Sequence, residues 1–63
     1  MRNNLKEHRT AVKMTQEVLA RKANCTERAI RKYESGDQVP NIYIVIRMAD
    51  ALGIENVREL FPI

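Results

Sequence analysis

Apolar residues recur at intervals of three and four along this chain, in segments separated by residues that begin or end helices. Thr15, Thr26 and Asn41 each stand directly before such a segment, where a side-chain oxygen can accept from free backbone N–H groups. Gly36 and Gly53 follow two of the segments and suit the left-handed conformation that ends a helix. The pattern predicts an all-α chain. The predicted helices span residues 5–12, 16–23, 27–35, 42–52 and 57–61.

The first and last predicted helices each follow a capping box, in which a polar cap residue precedes a carboxylate or amide side chain by three positions. Asn4 and Glu7 form this pattern at the first helix, and Asn56 and Glu59 form it at the last. We therefore expect the side chain of Asn4 to cap the first helix.

The predicted fourth helix has an apolar face and an outward face at helical spacing. The positions expected in the core are Ile42, Val45, Met48, Ala49 and Leu52. The positions expected outside are Tyr43, Ile44, Arg47 and Asp50. An outward Tyr43 near the helix start can donate to a phosphate, whereas an outward Ile44 indicates a contact with another protein chain.

The second and third predicted helices, within residues 15–36, are separated by a turn that has no room for a loop. Asn24 tolerates a left-handed backbone and so suits the sharp corner. Two helices joined in this way cross at a steep angle. This is the geometry of a helix-turn-helix, whose second helix can enter a DNA major groove.

The third predicted helix has one small, polar and cationic face and one apolar face. At roughly 100° per residue, the cationic face fills a wedge of about a quarter turn. It consists of Arg28, Arg31, Lys32 and Ser35. The apolar side consists of Ala29, Ile30 and Tyr33. By itself such a charge cluster is equally well explained as a solvated helix face, but the turn before it favours a DNA-binding role.

Composition limits the classes of function that remain. The 63 residues leave room for one domain, 1–63, without a linker. A formal net charge of +3 and a pI near 9.4 are compatible with nucleic acid, although many small proteins are as basic. The single Cys25 predicts no internal disulfide and a cytoplasmic location, and with one histidine we expect no metal site. No apolar run has membrane-spanning length, and no signal-peptide core is present.

A family resemblance rests on several segments with a specific combined spacing. They are Thr15-Gln16-Glu17-x-Leu19-Ala20, Cys25-Thr26, Ile30, Tyr33-Glu34-x-Gly36, Pro40 and Ala49-x-Ala51-Leu52-Gly53. This set resembles the Cro/repressor-type, xenobiotic-response-element-like helix-turn-helix family over residues 5–61. The resemblance implies a compact five-helix, lambda-repressor-like DNA-binding domain of a transcriptional regulator. Relatives usually carry glycine at the position of Lys13, so the lysine predicts a strained or reshaped turn there.

The resemblance also implies roles for individual side chains. The expected base contacts are Thr26, Glu27, Arg28 and Lys32. The expected phosphate contacts are Gln16, Arg31, Gln38 and Tyr43. In relatives, the arginine of the first helix pairs with the glutamate that ends the third helix, which implies a structural ion pair between Arg9 and Glu34.

Two of the expected base contacts differ in how specific their chemistry is. Arg28 is the strongest candidate, because a guanidinium fork matches the O6 and N7 acceptors of guanine. Glu27 can accept from the amino group of cytosine or hold Arg28 in position. A carboxylate that merely complements the helix dipole explains Glu27 equally well.

Repressors of this kind read two half-sites, so a symmetric homodimer is expected on DNA. The C-terminal apolar residues exceed what one small core needs, and we expect the surplus to form the dimer seam. The residues expected there are Ile44, Val57, Phe61 and Ile63.

The sequence thus predicts a sequence-specific binder of a double-stranded DNA operator, acting as a transcriptional regulator and specifically as a repressor. The alternative is an antitoxin-like or anti-regulator module whose helices bind a polypeptide. An enzyme is disfavoured, because no nucleophile–base pair or carboxylate pair stands at a usable spacing. We expect no cofactor, no small-molecule ligand and no membrane partner.

Overall fold

The computed structural model of the chain describes residues 3–61 and contains four α-helices and one short 3₁₀ helix in this range. The α-helices are α1 (Leu5–Ala11), α2 (Gln16–Ala23), α3 (Glu27–Ser35) and α4 (Ile42–Leu52), and the 3₁₀ helix is Val57–Glu59. The all-α fold and the bounds of the first four predicted helices are confirmed to within one residue. The expected fifth α-helix over 57–61 is wrong, because only three residues of it are helical and their conformation is 3₁₀.

Side-chain caps begin three of the four α-helices where the sequence predicts them. The side-chain oxygens of Thr15, Thr26 and Asn41 each accept from the backbone N–H three residues on, at 3.1, 3.0 and 3.0 Å. All three cap residues have extended backbone, which is the conformation that aims a cap side chain at the helix. The starts of α2, α3 and α4 are therefore encoded locally.

The start of α1 differs from the predicted capping box. Asn4 makes no side-chain cap bond, and instead Asn3 Oδ1 accepts from the N–H of Leu5 at 3.1 Å. Asn4 instead connects the start of α1 to the C-terminal segment. Its Nδ2 donates to the carbonyl of Glu59 at 3.1 Å, and its N–H donates to the carbonyl of Leu60 at 2.9 Å. The tertiary partner replaces the local one because the Asn4 backbone (φ −110°, ψ 16°) is not extended.

One apolar cluster joins all four α-helices and the C-terminal segment, with α2 packed against both α3 and α4. Its buried members are Leu5, Leu19, Ala20, Ala23, Ile30, Tyr33, Val45, Met48, Ala49, Leu52, Leu60 and Phe61. This packing fixes how α3 stands relative to the other helices, and hence which of its faces remains open.

The face that α4 turns inward differs from the predicted one at two positions. Ile42, expected in the core, is 55% exposed, because the buried face of α4 begins only at Val45. Ile44, expected outside, is half-buried against the core. Ile46 is instead the aliphatic residue in the middle of α4 that points to solvent, at 45% exposure.

The C-terminal apolar residues are divided between core and surface. Leu60 and Phe61 are 0% and 4% exposed, so Phe61 belongs to the core and is not available for a dimer seam. Their N–H groups both donate to the carbonyl of Val57, at 3.1 and 3.2 Å, which folds the segment back onto the helices. Val57 itself is half-buried, and Ile63 lies outside the described residues.

Within residues 3–61, none of the helices is both long enough and apolar enough to cross a membrane.

Candidate nucleic-acid interface

Three residues, 24–26, separate α2 from α3 and form the predicted sharp corner. Asn24 adopts the left-handed conformation (φ 59°, ψ 46°), and its N–H donates to the last turn of α2. The N–H of Cys25 donates to the carbonyl of Ala20 at 2.9 Å, and Thr26 caps α3 directly afterwards. The helix-turn-helix geometry expected from the sequence is therefore present in residues 15–36.

The two sides of α3 differ in exposure as the sequence predicts. Ile30 and Tyr33 are buried in the core, while Arg28 and Arg31 are exposed and Lys32 is half-buried. One open depression on the outer side is lined by Arg28, Arg31, Lys32, Ser35 and Asp37. The structure therefore brings the predicted cationic wedge together on one accessible surface, which we call the α3 cationic face (Arg28, Arg31, Lys32 and Ser35).

Ion pairing distinguishes the two arginines of the α3 cationic face. Glu27 Oε1 lies 3.5 Å from Nη1 of Arg31, with both side chains about half exposed (46% and 58%). The hypothesis that Glu27 holds Arg28 is thus replaced by a pair one helical turn apart, which is the spacing that helix geometry favours. Arg28 makes no ion pair with any residue in 3–61, so its guanidinium is open to an external partner.

Arg9 and Glu34 form the ion pair that the resemblance implies, and it is nearly buried. Arg9 Nε lies 2.5 Å from Glu34 Oε2 and Nη2 lies 3.2 Å from Oε1, with the side chains 10% and 6% exposed. Arg9 Nη1 also donates to the carbonyl of Met14 at 2.8 Å, and Gln16 Nε2 donates to Glu34 Oε1 at 2.9 Å. This network connects α1, the following turn, α2 and α3, and so fixes the position of α3.

Gln16, an expected phosphate contact, uses one amide hydrogen within this network. A side-chain amide carries two N–H donors, so a second donor remains for a ligand. Gln16 is half-buried at the first position of α2, where backbone N–H groups favour an anion.

The remaining predicted DNA contacts are accessible side chains around α3. Thr26 and Gln38 are exposed, and Tyr43 is 72% exposed at the start of α4. None of the three is drawn into the core.

The turn between α1 and α2 contains the strained lysine that the sequence predicts. Lys13 has φ 57° and is, with Asn24, one of two non-glycine residues with positive φ in the described range. Its exposed side chain lines a depression shared with Lys6 and Gln16. Neither Lys6 nor Lys13 is among the DNA contacts expected from the sequence; for Lys13, the available signal was the lysine at a position that suits glycine.

A second open depression lies at the end of α4 and combines apolar with acidic side chains. It is lined by Ile46, Ala49, Asp50, Gly53, Ile54, Glu55 and Val57. We call it the α4 groove. Of the three residues expected at a dimer seam that lie within residues 3–61, Val57 alone lines it. Its other large apolar residues, Ile46 in α4 and Ile54 after it, were not predicted. Ile46 was missed because helical spacing does not show how far α4 is rotated about its axis.

Two groups near the corner have pKa values raised by their surroundings. Burial raises the pKa of the Cys25 thiol, and burial together with the nearby thiol raises the pKa of Tyr33. Both groups are therefore neutral near pH 7, and neither is activated as a nucleophile.

Comparison with known proteins agrees with this architecture. A protein-family model described as helix-turn-helix matches residues 5–60. A curated relative from Methanothermobacter thermautotrophicus, named an uncharacterized HTH-type transcriptional regulator, is 36% identical over 61 residues, which cover 97% of this chain and 88% of that protein. The crystal structure of the restriction-modification controller protein C.AhdI from Aeromonas hydrophila aligns with a TM-score of 0.82 at 33% identity, covering 90% of this chain and 85% of that one.

Proposed function

The chain belongs to the helix-turn-helix family, and from this membership we propose that it is a transcriptional regulator that binds double-stranded DNA in a sequence-specific manner and acts as a repressor. The observation that carries the proposal is the α3 cationic face, which stays open while the opposite side of α3 is buried. A helix held in this way can enter the major groove, where each base pair presents a distinct pattern of donors and acceptors.

In this proposal Arg28 reads a base. Its side chain is exposed and has no ion-pair partner in the described chain, so the guanidinium can form two hydrogen bonds to guanine O6 and N7 without first breaking an internal contact. Lys32 lies one turn further along the same face and can reach a second acceptor. Thr26 and Glu27 stand at the start of α3, where a hydroxyl can contact either base edge and a carboxylate can accept from cytosine.

Phosphate contacts in the proposal come from groups around α3. Gln16 offers its second amide hydrogen beside the start of α2, and Arg31 offers the guanidinium N–H groups that its exposed pair with Glu27 does not use. Gln38 and Tyr43 contribute exposed polar side chains on either side of Pro40. Such contacts orient the protein on the duplex and carry no sequence information themselves.

We further propose that two copies bind as a symmetric homodimer, in the cytoplasm, through the α4 groove. The groove combines the half-exposed Ile46 with Ile54 and Val57, and such apolar surface is what a self-complementary contact buries. Ile44 can contribute only the part of its side chain left outside the core, and Phe61 contributes nothing because it is buried. A dimer would place two copies of α3 on half-sites roughly 34 Å apart.

Selection of bound duplexes from a random DNA library tests the function directly. We expect an enriched palindromic motif whose half-sites are about one helical turn apart. Titrations of the enriched duplex at several salt concentrations should then give a slope of log affinity against log salt of roughly −5 to −7, if a dimer neutralises about 6–8 phosphates. No enrichment and a slope near zero would contradict DNA binding and favour the antitoxin-like or anti-regulator alternative.

A further inference from the structure

Lys13 occupies a backbone position that ordinarily belongs to glycine. The N–H of Met14 donates to the carbonyl of Arg9 at 3.1 Å, and the N–H of Lys13 donates to that of Thr10 at 3.0 Å. These two bonds form a Schellman motif, in which the residue at the position of Lys13 is left-handed, and its φ is 57°. A side chain at this φ is disfavoured relative to glycine, so the needs of the turn do not explain the lysine.

The turn cannot easily relax to a conformation that suits lysine better. Arg9 Nη1 donates to the carbonyl of Met14 at 2.8 Å, which holds the Met14–Thr15 peptide, one residue beyond Lys13. The same guanidinium is paired with the nearly buried Glu34. The residue that follows Lys13 is therefore held by the network that positions α3.

Two carboxylates near Lys13 are already paired with other cations. The depression that it lines with Lys6, Thr15 and Gln16 also contains the carboxylates of Glu17 and Glu27. Each carboxylate has an arginine partner on its own helix: Glu17 Oε1 is 3.2 Å from Arg21, and Glu27 Oε1 is 3.5 Å from Arg31.

Arg9, the third cation of the depression, is matched by Glu34. Lys6 and Lys13 have no ion-pair partner within residues 3–61, so they are the unmatched charges at this surface. Both line the same depression as Gln16.

We infer that Lys13 is an additional DNA-phosphate contact, which binds a backbone phosphate beside the one held by Gln16. The inference rests on the proposed function and extends it to a residue whose left-handed backbone would suit glycine better. The ammonium supplies a charge that glycine cannot, and its contact with the phosphodiester offsets the strain of the left-handed lysine. Lys13 therefore lowers the stability of the free protein and raises its affinity for DNA.

The test uses the full-length chain and a 20-base-pair duplex of random sequence, since a phosphate contact needs no operator. Lys13→Gln removes the charge and keeps a side chain of similar length. Lys22→Gln is the matched control, because Lys22 loses the same charge but lines a separate depression with Arg47, Asp50 and Ala51. We expect Lys13→Gln to weaken binding by about 3–10-fold at 0.1 M salt and to make the salt slope shallower by roughly 0.9 per bound chain. Lys22→Gln should change the slope by much less.

Lys13→Gly separates the two effects of the lysine. It should raise the melting temperature by about 2–6 °C, because the strain is relieved, and yet lose as much DNA affinity as Lys13→Gln. Two results would overturn the inference while the proposed function stands, provided that the wild type binds the duplex. In the first, either Lys13 variant keeps the wild-type affinity and salt slope. In the second, Lys22→Gln loses as much DNA affinity as Lys13→Gln. Wild-type protein that bound no duplex of any sequence would overturn both.

Discussion

At the scale of single residues, Glu34 connects more of the molecule than any other side chain of the candidate interface. Its carboxylate accepts from Arg9 on α1 and from Gln16 on α2, while Glu34 itself belongs to the helix that carries the cationic face. The carboxylate is 6% exposed, so water screens these contacts weakly. A buried pair of this kind shows its importance mainly when one partner is removed, because the other is left charged and unmatched.

Replacing Glu34 by glutamine should therefore destabilise the fold strongly. We expect a loss of about 3–5 kcal/mol in the free energy of unfolding, a large share of the total for a chain of this size. Urea denaturation followed by circular dichroism measures it. Glu17→Gln is the matched control: its pair with Arg21 is 70–74% exposed, and its loss should be within about 0.5 kcal/mol. Equal effects of the two variants would show that burial of the Arg9–Glu34 pair contributes nothing to stability.

Arg28 and Arg31 should differ in what they contribute to DNA recognition. Arg28→Ala should weaken binding to the selected site by about 1–3 kcal/mol per half-site and relax the preference at one base pair. Arg31→Ala should weaken all sequences alike. Gel-shift titrations against the selected site and a scrambled duplex distinguish the two. If Arg28→Ala lowered the affinity for both duplexes by the same factor, Arg28 would not be a base-reading residue.

At the scale of helices and turns, the corner between α2 and α3 decides the direction of α3. Asn24 accomplishes the change of direction in a single left-handed residue, and Thr26 begins the next helix two residues later. Asparagine tolerates this backbone better than most side chains, whereas alanine does not. This is why the corner could be recognised from the sequence: Asn24 acts through its own backbone, and Thr26 acts through a side-chain bond three residues along.

Asn24 provides a direct test of that corner. Asn24→Ala should lower the free energy of unfolding by about 1–2 kcal/mol, because a Cβ-bearing residue without a local hydrogen-bonding side chain is strained at φ 59°. Asn24→Gly should leave it unchanged or slightly raised. Thermal and urea unfolding of both variants measure the difference. A fall of the same size for glycine would mean that the Asn24 side chain, rather than its backbone conformation, holds the corner.

At the scale of the whole molecule, some apolar side chains of α4 and of the segment after it stay at the surface once the core is complete. Leu60 and Phe61 complete the core, while Ile46, Ile54 and Val57 line the α4 groove. Phe61 is therefore not available for the dimer seam predicted from the sequence, and we propose the α4 groove in its place. Phe61→Ala should consequently unfold the chain, at about 3–5 kcal/mol for the cavity, rather than separate two folded copies.

Ile46→Asp should disrupt the dimer and leave each copy folded, because the residue is 45% exposed in the single chain. Sedimentation of the complex with the selected duplex should show two chains per duplex for the wild type. For Ile46→Asp the number of chains per duplex should fall towards one. Val39→Asp is the control, since Val39 is 61% exposed and does not line the groove. Two chains per duplex that persist in Ile46→Asp would place the seam elsewhere.

The sequence alone determined those features that depend on neighbours along the chain. The starts of α2, α3 and α4 follow from the side chains of Thr15, Thr26 and Asn41, which bond to N–H groups three residues away. The cationic face of α3 follows from the helical repeat. The partnership of Arg9 with Glu34 came from the resemblance to a family, since no local rule joins residues 25 positions apart.

Only the tertiary structure decided the features whose partners are distant in sequence. Asn4 bonds to Glu59 and Leu60 instead of capping α1, because the folded chain brings the start of α1 beside the segment after the 3₁₀ helix. The rotation of α4, which exposes Ile46 and half-buries Ile44, is set by packing against α2 and the C-terminal segment, and helical spacing is nearly the same for either orientation. The last predicted helix shortens to three residues because Leu60 and Phe61 are buried in the core, and that contact outweighs the local preference for a further helical turn.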